Sequence, residues 1–292
     1  MQRVPVIDYE GKPLMPTKAS RARRWLRDGK AWVYPNDLGI FAIQWVAPAS
    51  GNETQDLVAG IDPGKSYSGI GVQSAKATHF KAHVILPFSR VKRRMETRAL
   101  LRRARRGRRV GKAMPFEHRA HREKWFDNHH QEKLPPSIRA NRQLELRIVQ
   151  ELQQLFPLTA VVAASHFMAY RSVQDTRSHG HVWTGTVQPT DCPFVIIQRP
   201  PLYRRHLHFE NPRCGAARKR KGGMVTPWGL RSGDLVQGET AGETVRGWMG
   251  GYTEQTQRVS IYDAGWKRLG QFALANVSLL QRSTGLCVTA TT

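Results

Sequence analysis

Short apolar runs and alternations open the chain and predict strands at 3–8 (RVPVID), 31–35 (AWVYP) and 39–46 (GIFAIQWV). Between them, 20–30 (SRARRWLRDGK) has the composition and spacing of a short basic helix, with Ser20 as its expected N-cap and Gly29 as its stop. Residues 9–16 (YEGKPLMP) read as the turn after the first strand, and 47–56 (APASGNETQD) as a linker. From 57 to 88 apolar stretches alternate around a glycine-rich turn, as in the first hairpin of a sheet. Residues 134–156 then predict an amphipathic helix capped by Ser137, built on Ile138, Ile148, Val149, Leu152 and Leu155 and stopped by Pro157. A buried strand, LTAVVAA, follows it.

Beyond residue 164 the pattern weakens. Residues 165–191 read as loop with at most a short strand. Residues 192–208 read as a strand followed by a proline-stiffened basic connector, and 213–223 (RCGAARKRKGG) as a mobile basic loop. The remainder alternates in short glycine-punctuated runs, which predicts a small antiparallel barrel or sandwich with Trp228, Trp248 and Trp266 in its core.

Charge changes this picture most. Forty-six Lys and Arg against 22 Asp and Glu give a net charge of +24, a surface that repels itself unless a polyanion neutralises it. No apolar run reaches spanning length and no signal-peptide pattern opens the chain, so nucleic acid is the expected partner and membrane is not. Cys192, Cys214 and Cys287 are odd in number and far apart, which argues against a disulfide framework or zinc ribbon and fits a reducing cytoplasm. His118, His121, His129 and His130 sit among charges and read as solvated or phosphate-contacting side chains.

The charge concentrates at 90–112, where twelve basic residues accompany a single acid, Glu96. Arg94, Arg98, Arg102, Arg105, Arg106 and Arg109 recur at three- and four-residue spacing with only a thin apolar seam of Leu100, Leu101 and Ala104, and Arg93 and Arg103 join them as candidate nucleic-acid contacts. Phosphates on several sides explain such a helix better than a hydrophobic core does.

One order of motifs is specific. GKPLMP before a short basic helix, then GIDPG, an arginine-rich helix, and LPPSIRANRQLELRIVQELQQLFPLTAVV resemble the IscB and IsrB family of transposon-encoded RNA-guided proteins. The resemblance implies an α/β fold: a small amino-terminal α+β PLMP-like module (1–48), an incomplete ribonuclease-H-like (RuvC) domain and a carboxy-terminal antiparallel β module. The RuvC-like domain takes its first segment from 57–89 and its second segment and shortened remainder from 126–198, with an arginine-rich bridge helix region at 90–125 between them. The carboxy-terminal module (199–292) would meet target DNA through Arg204, Arg205 and the basic loop containing Lys219, Arg220 and Lys221. Guide RNA and target DNA are the implied partners, a monomer the implied state, and Mg2+ the cofactor if the protein cuts.

Asp62 matches the first family carboxylate as the candidate catalytic and metal residue. At the second and third positions the chain has Ala164 and Thr184, three residues after His181, and these lie only twenty residues apart, which leaves no room for an HNH nuclease. Two hard-oxygen ligands are therefore missing. The expectation is an RNA-guided DNA-binding protein with a degenerate nuclease centre, Asp62 serving as a turn-former at the Pro-Gly bend. The alternatives are a Mg-dependent nickase with relocated ligands such as Asp175 or Asp191, and a decayed transposon remnant that binds nucleic acid nonspecifically.

Overall fold

β1 (Arg3–Ile7) turns Val4 and Val6 to one side and Ile7 to the other, so two cores meet across it. The computed structural model describes residues 3–48, 51, 53–109, 115, 134–163, 192, 194–200, 226, 228–240, 242–253 and 255–291. β2 (Pro13–Lys18) pairs antiparallel with β1, and α1 (Ala19–Arg27) follows it. β3 (Ala31–Tyr34) and β4 (Ala42–Trp45) complete a four-stranded sheet in the order β2-β1-β4-β3, with β4 parallel to β1.

PLMP is therefore strand and not turn. β2 lies at the sheet's edge and its register with β1 shifts between Val4 and Val6, where prolines without an N–H are tolerated. α1 begins at Ala19 with Lys18 at the cap position and no side-chain cap, so Ser20 lies inside the first turn. Gly29 does end it, at φ +68° with its N–H on the Leu26 carbonyl. Ala22, Trp25 and Leu26 seat the helix on Val4, Val6 and Ile43, with the Trp25 and Trp45 rings 4.7 Å apart.

β5 (Leu57–Pro63), β6 (Tyr67–Ser74) and β7 (Thr78–Ile85) form an antiparallel meander. Among the described residues two helices come next, α2 (Phe88–Arg109) and α3 (Pro136–Leu155), and then β8 (Ala160–Ala163), parallel to β5. Leu144, Ile148, Leu152 and Leu155 bury one stripe of α3 against Leu57, Ala59, Ile70, Val72 and Ala82 of the meander. Pro135 occupies the cap of α3 and Ser137 lies within it, correcting the expected Ser137 cap. β8 is a half-exposed edge strand and not a buried one, with Val161 41% exposed.

β9 (Phe194–Gln198) pairs parallel with β7 on the opposite flank. β10 (Leu235–Thr240), β11 (Glu243–Thr253), β12 (Arg258–Tyr262), β13 (Arg268–Ala273), a 3-10 turn (Leu274–Asn276) and β14 (Val277–Gln281) then build a second antiparallel sheet, ordered β13-β12-β11-β10-β14. β10 also approaches β13, which curls this sheet around Leu230, Val236, Met249, Val259, Ile261 and Phe272. β15 (Cys287–Thr291) leaves it and pairs antiparallel with β9, giving the large sheet the order β15-β9-β7-β6-β5-β8. Residues 287–291, grouped by sequence with the carboxy-terminal module, thus belong to the large sheet. Trp228 packs on the curled core and Trp248 is buried. Trp266 sits outside that core on the β12–β13 turn, stacked on Tyr262.

His79, buried on β7, shares a 3.0 Å hydrogen bond between its Nε2 and the Ser74 hydroxyl. Burial, with the Arg3 charge adding to it, holds its imidazole down at about 4. Between that value and the ordinary 6.5 the unfolded chain binds the proton and the folded chain does not. Stability from this group is thus complete above about pH 6.5 and falls as pH drops toward 4, by roughly 3 kcal/mol. Urea titrations at pH 7 and pH 4.5 should show the loss in the wild type and a smaller one in His79→Leu. Equal losses would remove His79 as the cause.

Candidate nucleic-acid interface

α2 leaves the domain as an arm. Its root is fixed: the Lys65 ammonium lies 5.1 Å over the Phe88 ring, and Arg90 donates from Nη1 to the Pro200 carbonyl at 3.1 Å. Outward from there the helix passes close to α3, with Val91, Arg94, Met95 and Ala99 half-buried, while Arg93, Arg98 and residues 100–104 are exposed and the thin apolar seam stays uncovered, with Leu100 66% and Leu101 49% exposed. Twenty-two residues at about 1.5 Å each make the arm roughly 33 Å long.

Arg93, Arg98, Arg102 and Arg103 are exposed and Arg94 is half-buried. Arg105, Arg106 and Arg109 continue the helical backbone, while their side chains lie outside the described residues. Glu96, the arm's acid, stands 3.9 Å from Lys92. Like charges at 98 and 102 repel by a few tenths of a kcal/mol in water, and good arginine helix propensity offsets this only in part. Adjacent phosphates convert the repulsion into charge-assisted hydrogen bonds.

A second basic face was not singled out from sequence. Lys18, Ser20, Arg21, Arg23, Arg24 and Arg27 line an open groove along α1, and Arg21 lies 6.0 Å from the Trp25 ring. The spacing 20, 23, 24, 27 was the available signal, since it sets these positions on one face opposite Ala22. Arg204, Arg205, Lys219, Arg220 and Lys221 lie outside the described residues, as do the histidines of 118–130.

Asp62 stands next to last on β5, paired with Gly69, and its carbonyl accepts a 2.8 Å hydrogen bond from the buried Ser68 hydroxyl. The following bend is tight. A Cβ on Gly64 would come 2.1 Å from the Tyr67 carbonyl oxygen, a backbone atom that cannot swing away. Asn141 of α3 donates from Nδ2 to the Lys65 carbonyl at 2.8 Å, tying the bend to the helix. Gly64→Ala should therefore cost about 1–3 kcal/mol of folding stability, read as a lower urea midpoint, and an unchanged midpoint would show the bend to be loose.

No group of three His, Cys, Asp or Glu side chains among the described residues could hold a metal. Asp62 is brought to no such cluster, and positions 164, 175, 181, 184 and 191 lie outside those residues. Burial pushes the Cys192 thiol up to about 11 and the Cys287 thiol to about 12, so neither is a thiolate nucleophile at neutral pH. No helix among the described residues is long and apolar enough to cross a membrane.

Arg102-Arg103-Ala104-Arg105-Arg106 spells R-R-x-R-R, and Arg105-Arg106-Gly107-Arg108-Arg109 spells it again in overlap. The family model described as RRXRR protein matches residues 4–182, more than half of the chain. The chain belongs to the RRXRR protein family. No curated protein matches it. The RRXRR match spans the amino-terminal module, the β5–β7 meander, both long helices and β8, and ends before the carboxy-terminal sheet. Membership is consistent with an IscB-like, arginine-rich nucleic-acid-binding protein.

Proposed function

We propose that this RRXRR protein is an RNA-guided DNA-binding protein of the IscB/IsrB kind with a degenerate RuvC-like nuclease centre. One observation carries the reading: a 22-residue helix holds ten arginines and one acid, with Arg93, Arg98, Arg102 and Arg103 exposed. Only a polyanion folded around the helix supplies acceptors at that density, and the guide RNA is that polyanion. Base pairing then reads the target, while the amino-terminal module, the RuvC-like segments and the carboxy-terminal module hold backbone and shape.

The order β7-β6-β5-β8, an antiparallel meander joined through helices to a parallel strand, supports the ribonuclease-H-like reading. The same register speaks to the chemistry. β5 and β8 pair from Val58↔Ala160 to Ile61↔Ala163, with Asp62 following on β5 and position 164 next in the sequence after β8. A second carboxylate belongs there in a two-magnesium centre, and the chain has alanine. With alanine at 164 and threonine at 184 the family's donor set for Mg2+ is incomplete, and this reading includes no cleavage step.

The test is purification of the protein from cells expressing it with the DNA that flanks its gene. Recovery of one defined RNA, and retention of a DNA matching its guide segment, is expected. A heterogeneous RNA population, displaced equally by unrelated RNA, would favour a nonspecific binder.

A further inference from the structure

The β12–β13 turn holds an aromatic stack in a conformation its sequence does not favour. Trp266 has φ +68°, the left-handed region that disfavours a side chain as bulky as indole. The turn is fixed around it: Asp263 N–H donates to the Lys267 carbonyl at 3.0 Å, Trp266 N–H to the Asp263 carbonyl at 3.0 Å, and Lys267 N–H to Asp263 Oδ1 at 2.7 Å. The indole lies parallel to the Tyr262 ring, 5.1 Å between centroids and 8° between planes. Tyr262 in turn fills the space a side chain at Gly250 would need, where a Cβ would come within 2.3 Å of its ring. Lys267 and Arg268 beside the stack are exposed.

This turn is not remote from the arginine arm. Gln198 at the end of β9 donates from Nε2 to the Ala264 carbonyl in the turn. Two residues on, the Pro200 carbonyl accepts from Arg90 at the root of α2. Two hydrogen bonds through one short segment thus join the stack to the arm.

We infer that Tyr262 and Trp266 form a platform on which an unpaired base of the RNA held by α2 stacks, with Lys267 and Arg268 meeting the flanking phosphates. The inference rests on α2 as the RNA contact. Stacking suits the site because every base has a π-face, and a prebuilt aromatic pair loses little freedom on binding. Forming the turn alone would be served as well by glycine or asparagine, which accept the left-handed conformation without strain.

The experiment titrates the full chain with a short single-stranded RNA carrying one fluorescent adenine analogue. A blunt RNA duplex and a single-stranded DNA of the same sequence serve as the other arms. Trp266→Gly should keep the wild-type unfolding temperature or raise it, lose the analogue's quenching and bind single-stranded RNA about tenfold more weakly, while duplex binding is unchanged. Trp266→Phe should recover part of both signals. Wild-type affinity and quenching in Trp266→Gly overturn the platform, as does a loss shared equally by the duplex, and quenching by DNA alone overturns the RNA assignment. If α2 instead is wrongly read, arginine substitutions there leave the salt dependence unaltered whatever Trp266 does.

Discussion

Replacing Arg98, Arg102 and Arg103 together by glutamine is expected to weaken RNA binding and to flatten its log-log salt dependence by about two to three units. All three side chains are exposed on the outer part of α2, so the substitution leaves no cavity among the described residues. Glutamine keeps good helix propensity and relieves like-charge repulsion, so the arm itself should persist. What disappears is the release of counterions from the phosphates these guanidinium groups meet, each worth about 0.7 to 0.9 of slope. The measurement is a binding titration of wild type and variant across a range of salt concentrations. An unchanged slope would mean that the arginines are merely solvated and that RNA lies elsewhere, with the α1 groove of Lys18, Arg21, Arg24 and Arg27 as the next surface to substitute.

The second large effect concerns cleavage. Guide-matched plasmid should stay intact in magnesium or manganese, because hard cations held close together need several carboxylate oxygens and the family positions at 164 and 184 supply alanine and threonine. Asp62→Ala should accordingly leave both plasmid integrity and DNA retention as they are. Ala164→Glu combined with Thr184→Asp should not create activity unless the surrounding strands bring 184 to the end of β5. Metal-dependent nicking by the wild type that vanishes in Asp62→Ala would show that carboxylates such as Asp175 or Asp191 complete the centre, and the degenerate reading would fall.

The helices were legible in the sequence because their periodicity is strong: Leu144, Ile148, Leu152 and Leu155 bury one stripe of α3, and the arginine arm appears where the ladder of charge placed it. Their starts were not, since Ser20 and Ser137 both offer cap chemistry two residues too late. Local preference cannot choose among neighbouring polar residues when packing of Ala22 or Leu144 sets the helix phase. PLMP was misread for a related reason. Two prolines look like a turn, yet an edge strand asks for donors on one side only. Trp266 was counted with Trp228 and Trp248 because composition does not reveal which tryptophan a turn lifts out of the core. As for the candidate site, Asp62 at the end of a strand was readable from GIDPG, while the pairing of β5 with β8 depends on a parallel register that spans a hundred residues.

That the last strand belongs to the first large sheet has a bearing on biosynthesis. β9 leaves the ribosome with β7 ready on one side and nothing on the other until residues 287–291 emerge, long after the intervening curled sheet has been made. During that interval an apolar stretch, Phe194 to Ile197, presents open backbone donors and acceptors to any neighbouring nascent chain. A stop codon placed before Cys287 would make the interval permanent. Such a product would keep every arginine of α2 and yet collect in the insoluble fraction, a defect of assembly that a map of binding residues alone would not foresee.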